Sequence, residues 1–135
     1  MNIEHMRRLC GWHFSVLGVA TLPDYELGVD DRGYATVRPF AGKEVLGVLY
    51  EVDQYCLDIL DDFEGYPEVF LRPIVEILDA NGQKLQSWVY LEPKEKFGSG
   101  FMRPDYIKRA IIGAEENHLP EEWINFLSGF QPRNF

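Results

Sequence analysis

The sequence predicts an α+β domain built on a curved or closed, mostly antiparallel sheet. Three observations predict it. Strand-like runs crowd the middle of the chain, and helical periodicity marks its edges. Short turns join consecutive strand runs, which implies antiparallel neighbours. Asn81-Gly82 lies between two apolar runs, a hairpin signal because both residues tolerate positive φ.

Taken in order, Asn2 to Leu9 reads as a helix that Asn2 could cap, with Ile3, Met6 and Leu9 or Cys10 as its apolar stripe. Phe14 to Leu22 and Tyr25 to Val29 read as two strands separated by Pro23. Asp30-Asp31-Arg32-Gly33 is a turn, and Tyr34 to Val37 is a third strand stopped by Pro39. The apolar run Val45 to Tyr50 is a buried strand. Asp53 has the chemistry of an N-cap for a helix over Gln54 to Phe63, ended by Gly65 and Pro67. Val69 to Leu78 and Gln86 to Leu91 are the arms of the Asn81-Gly82 hairpin. Pro93 to Met102 is a glycine-containing loop. Pro104 opens a helix whose buried stripe is Tyr106, Ile107, Ala110, Ile111 and Ala114. Pro120 opens a last helix carrying Trp123, Ile124 and Leu127, with Gly129 at its end.

Bulk properties narrow the function classes. The 135 residues suit one domain, residues 1–135, large enough to need no staple. The net charge is −9, from 22 acids against 13 bases, and no basic stripe appears, so neither nucleic acid nor an anionic membrane is an expected partner. Cys10 and Cys56 lie far apart and form no disulfide framework, which fits a reducing compartment, with Cys56 a small core residue. No apolar run is long enough to span a membrane and the N-terminus lacks a signal-type apolar region, so cytoplasm is the expected location. His5, His13 and His118 show no paired ligand spacing, and the phosphate-cradling glycine motifs and the serine-hydrolase elbow are missing. No metal or cofactor is therefore expected.

One carboxylate breaks the pattern. At about 100° per residue, Cys56, Leu57, Ile59, Leu60 and Phe63 form an apolar arc, opposite Gln54, Asp58, Asp61 and Asp62. Glu64 falls within the apolar arc, roughly 40° from Leu60 and about 20° from Leu57. Burial and the negative end of a helix would both raise its pKa, and a carboxylate so placed can serve as a proton acceptor. A helix-terminal Glu turned to solvent would give the same pattern.

Several stretches carry a family resemblance: LGVATLPDYELG, GYATVRP, VLGVLYEV, LDILDDFEGYP, WVYLEP and PDYIKRAIIGAEENHLPEEW. Together, over nearly the whole chain, they resemble the γ-glutamylcyclotransferase superfamily, also called AIG2-like. The resemblance implies a small, mostly antiparallel β-barrel with flanking helices. It implies cyclisation of a small γ-glutamyl compound to 5-oxoproline with release of an amine or amino acid, without a cofactor. Glu64, in the motif Asp61 to Gly65, would be the general acid/base. Gly65, the Phe70-Leu71-Arg72 stretch that replaces a Y-x-R pattern, and Tyr106 would contact the substrate, although Tyr106 could equally be a core aromatic.

The family also has a first strand and a Y-G-S-N-L or Y-G-T-L loop, whose backbone amides bind substrate. Met1 to Met6 resembles the residues just after that loop, so the expectation is either a start placed too late or a chain without it. A sheet lacking that strand should show an unpaired edge or gap unless another segment fills it. The alternatives to a γ-glutamylcyclotransferase are a γ-glutamylamine cyclotransferase and a non-catalytic small-molecule-binding module of the same fold.

Overall fold

The computed structural model describes residues 2–132. Helix α1 (Ile3–Cys10) begins at Asn2, whose side chain accepts from the His5 amide at 2.9 Å, and ends at Gly11 with φ of 59°. Two long strands come next, β1 (Phe14–Val29) and β2 (Ala35–Val52), paired antiparallel from Phe14↔Val52 to Val29↔Ala35.

The sequence divides each of these strands in two, and the structure joins them. Pro23 and Pro39 suggest breaks because neither can donate to a ladder. Asp24 absorbs the first break. It takes a left-handed φ of 60° at a register shift, and its carboxylate accepts from the Gly42 amide at 3.0 Å. Pro39 lies on an edge strand, where a missing N–H need not cost a ladder bond.

Helix α2 (Gln54–Glu64) is capped by the Asp53 carboxylate on the Cys56 amide at 2.9 Å and ended by Gly65 with φ of 77°. The second hairpin pairs β3 (Ile74–Leu78) with β4 (Lys84–Trp88). Both are shorter than their apolar runs suggest, and beyond Pro73 only the bridge Leu71↔Leu91 continues the pairing. The Asp79 carboxylate shapes the Asn81-Gly82 turn by accepting from the Asn81 and Gln83 amides, each at 2.9 Å.

The strand order is β2-β1-β3-β4, all antiparallel, so the α+β, antiparallel expectation holds, but the sheet is not closed into a barrel. The two hairpins meet at a single pair, Thr21↔Leu78. Helices α3 (Pro104–Glu116) and α4 (Glu121–Ser128) start one residue after Arg103 and Pro120 and pack their apolar stripes on β1 and β2.

Two apolar clusters result. One joins Val29, Met102, Ile107, Ala114, Leu119 and Leu127. The other joins Met6, Cys10, Cys56 and Leu60 between α1 and α2. In the second cluster the sequence expectation of two free thiols is overturned, because Cys10 and Cys56 form a disulfide. Both are buried, at 1% and 0% exposure, as small core residues would be. Their separation of 46 residues hid the pairing.

Candidate active site

A cavity of about 510 Å³ opens where four parts of the chain converge. The start of α1 contributes Asn2 and His5, and the β1–β2 turn contributes Arg32 and Tyr34. The end of α2 contributes Phe63 and Glu64, and α3 contributes Tyr106, Arg109 and Ala110. Ala35, Phe70 and Tyr90 complete the wall.

The α1 start is seated by close packing. Asn2 is 7% exposed, its amide donates to the Arg109 carbonyl at 3.3 Å, and the Ile3 amide donates to Glu116 at 2.9 Å. Gly113 permits this approach, since a Cβ there would lie 3.1 Å from the Asn2 Cβ.

Glu64 is the last residue of α2, and Gly65 turns the chain away behind it. Burial pushes its carboxyl above the ordinary range, and the Arg32 guanidinium partly offsets this. Among the described residues nothing hydrogen-bonds to the Glu64 carboxylate.

The rest of α2 departs from the helical wheel in two places. Cys56, Leu57 and Leu60 are buried as predicted, but Phe63 is 55% exposed at the cavity mouth, edge-on to His5 at 5.4 Å. Asp61, predicted to face water, turns inward. Its carboxylate accepts from Arg72 Nε at 2.7 Å, Arg72 Nη2 at 3.0 Å and the Tyr90 hydroxyl at 2.7 Å. Burial opposes ionisation there, but Arg72 and Tyr90 hold the Asp61 carboxyl below its usual range.

Of the residues predicted to contact a substrate, Phe70 and Tyr106 line the cavity with Glu64. Tyr106 meets Tyr34 edge-on at 5.1 Å, and burial, then the Glu64 and Asp30 charges, raise its hydroxyl pKa. Gly65, the left-handed cap of α2, follows Glu64 but is not among the residues lining the cavity. Arg72 is not among the residues lining the cavity; its guanidinium donates to Asp61 and stacks on Tyr66 and Trp88 at 4.6 and 4.8 Å.

Arg72→Ala is therefore expected to act on stability, by about 2 kcal/mol, because it leaves a mostly buried carboxylate short of its cation. Asp61 has a depressed folded pKa. Its contribution is full above the ordinary carboxylate range and is lost as pH falls through the folded value. Urea melts of both proteins should differ at neutral pH and converge in acid.

Sequence reasoning missed His5, Arg32, Tyr34, Tyr90 and Arg109. For Arg109 a signal exists: with Tyr106, Ala110 and Gly113 it shares one face of α3 at helical spacing. Among the described residues no three His, Cys, Asp or Glu side chains converge in metal-binding geometry.

The chain is similar to known proteins. Zebrafish gamma-glutamylaminecyclotransferase A is 41% identical over 54 residues, 38% of this chain and 34% of that one. Human gamma-glutamylcyclotransferase is 29% identical over 128 residues, 87% of this chain and 67% of that one. The chain thus matches between about a third and two thirds of those relatives' lengths. A solved structure described as a gamma-glutamyl cyclotransferase superposes with a TM-score of 0.86 at 23% identity, over 99% of this chain and 84% of that one, a likeness of fold. The family model for gamma-glutamyl cyclotransferase, AIG2-like, matches residues 1–107, and the chain belongs to that family.

Proposed function

We propose that this protein cyclises a γ-glutamyl compound to 5-oxoproline and releases an amine or amino acid, with Glu64 as general acid/base. One observation carries the reading: a carboxylate of raised pKa, with no hydrogen-bond partner among the described residues, on the wall of a cavity of about 510 Å³.

Glu64 takes a proton from the substrate's α-ammonium. The freed amine attacks the γ-carbonyl carbon and a C–N bond forms. Glu64 returns the proton to the leaving nitrogen as the original amide C–N bond breaks, then takes the second proton of the ring nitrogen and passes it to the released amine, which leaves as an ammonium while the lactam keeps one N–H. No electron donor or acceptor is required. A desolvated carboxylate accepts that proton better than one in water. The attack is intramolecular, so walls that hold the substrate folded supply much of the acceleration. Phe70 offers an apolar surface for the glutamyl methylenes, and the Tyr106 hydroxyl stands in the field of Glu64. Arg72 steadies this end of α2 through Asp61.

Relatives of two kinds are similar to this chain, one named for γ-glutamyl compounds generally and one for γ-glutamylamines. The test is a panel of γ-glutamyl amino acids and γ-glutamylamines incubated with the purified protein, with 5-oxoproline measured. Release from one class assigns the leaving group. A silent panel overturns the enzyme reading and leaves a binding module of the same fold. No helix among the described residues is long and apolar enough to cross a membrane. The Cys10–Cys56 bond argues against a reducing compartment.

A further inference from the structure

Arg32 has an unusual seat. Its Nη2 and Nε donate to one oxygen of Asp30, Oδ2, at 2.9 and 3.3 Å. The Asp30 side chain is fully buried, and beside it lies the Glu92 side chain, 4% exposed, with one carboxyl oxygen lacking any hydrogen-bond partner among the described residues. Burial and the neighbouring Asp30 charge push the Glu92 carboxyl up. Burial opposes ionisation of Asp30 too, but the Tyr34 amide and Arg32 hold it down. The two carboxyls are thus pushed in opposite directions beneath one guanidinium.

Hydrogen bonds hold the turn around it. Asp30 Oδ1 accepts from the Arg32 and Tyr34 amides, each at 2.9 Å, and the Arg32 carbonyl accepts from Arg103 Nε at 2.8 Å. The Tyr34 and Phe70 rings flank the guanidinium, at 5.2 and 5.8 Å.

This mounting uses one edge of the guanidinium. The Nη1 edge has no acceptor among the described residues, and the side chain, 47% exposed, lines the cavity. A guanidinium edge so presented fits a carboxylate with two parallel N–H···O bonds.

We propose that Arg32, held by the buried Asp30–Glu92 carboxyl pair, is a carboxylate-binding group of the cavity and takes the α-carboxylate of the γ-glutamyl group. The inference rests on the cyclotransferase reading for the identity of the ligand. Which carboxylate is bound comes from connectivity. The α-carboxylate shares its carbon with the amine that must reach Glu64, so its anchor must stand beside Glu64. Arg32 is the side-chain cation whose field acts on that carboxylate. Arg109, which also lines the cavity, acts through its field on His5 and Tyr106 instead.

The test measures binding of L-5-oxoproline and of its carboxamide by calorimetry to the wild type, Arg32→Ala and Arg32→Lys. The wild type should bind the acid about 10- to 100-fold tighter than the amide, the range of a charge-assisted hydrogen-bonded pair. Arg32→Ala should bring that ratio close to one. Arg32→Lys keeps the charge and loses the fork, so its ratio should fall severalfold, and it stands in if the alanine variant does not fold.

A wild type that binds neither ligand, or does not distinguish acid from amide, overturns the proposal. So does either variant keeping the wild-type ratio. Failure of the cyclotransferase reading is seen separately, as absence of 5-oxoproline release by a wild type whose acid-to-amide ratio is still measurable.

Discussion

Glu64→Gln is expected to lower 5-oxoproline release by about 10²- to 10⁴-fold, the usual worth of a positioned general acid/base. The amide fills the same space but cannot take the proton of an ammonium, so binding of 5-oxoproline should change far less than turnover. The fold should not suffer. Glu64 has a folded pKa raised by burial, so the folded state favours its protonated form, and that preference is lost as pH rises through the folded value. At neutral pH the wild type therefore holds an unfavourable charge that glutamine removes. The variant should melt at the same temperature as the wild type or slightly above it. A variant that keeps wild-type turnover would sink the assignment, whereas one that also loses its melting transition would place Glu64 in the structure instead.

The pH profile gives an independent view of the same group. Below its pKa Glu64 carries a proton and cannot act as base. The acid limb of kcat/KM should therefore have its midpoint above the ordinary Glu value of 4.5, because burial outweighs the offsetting field of Arg32. That limb should disappear from the residual activity of Glu64→Gln. A midpoint at or below the ordinary value would mean that the carboxylate meets water during the reaction.

How much of this was legible depended on whether the signal was local. The four helices could be placed from caps and period alone, because Asn2, Asp53, Pro104 and Pro120 each mark a start that nothing else in the chain contradicts. Glu64 could be found because it broke its own helix's pattern. The joined strands could not be seen, since a single left-handed residue at Asp24 carries the chain past Pro23 and leaves no trace in hydrophobic alternation. The wheel misplaced Asp61 and Phe63 because it allows one buried direction. The end of α2 has two, one toward Tyr90 and Arg72 and one toward the open cavity. Arg32, His5 and Arg109 come to the cavity from a turn and two helices remote in sequence, and no periodicity encodes that meeting.

Removing the Cys10–Cys56 bond by the double substitution to serine should cost about 2–4 kcal/mol. The bond joins residues separated by 46 positions, and a loop of that length gives about 4 kcal/mol by chain entropy alone. For a chain of this size the melting temperature should fall by roughly 10 °C. The fold should persist, because Met6 and Leu60 still pack between α1 and α2. Activity should fall as well, because the bond ties the helix bearing His5 to the helix bearing Glu64, and a looser pair holds the cavity less well. Both sulfurs are buried, so reductant should act slowly on the native protein and fully on protein refolded in its presence. The decisive comparison is therefore the melt of wild type refolded with and without reductant, beside the double variant, with free thiols counted in each. Two free thiols and an unchanged melt would show that the bond carries no stability. Two alkylatable thiols in protein taken directly from cells would return the chain to a reducing compartment.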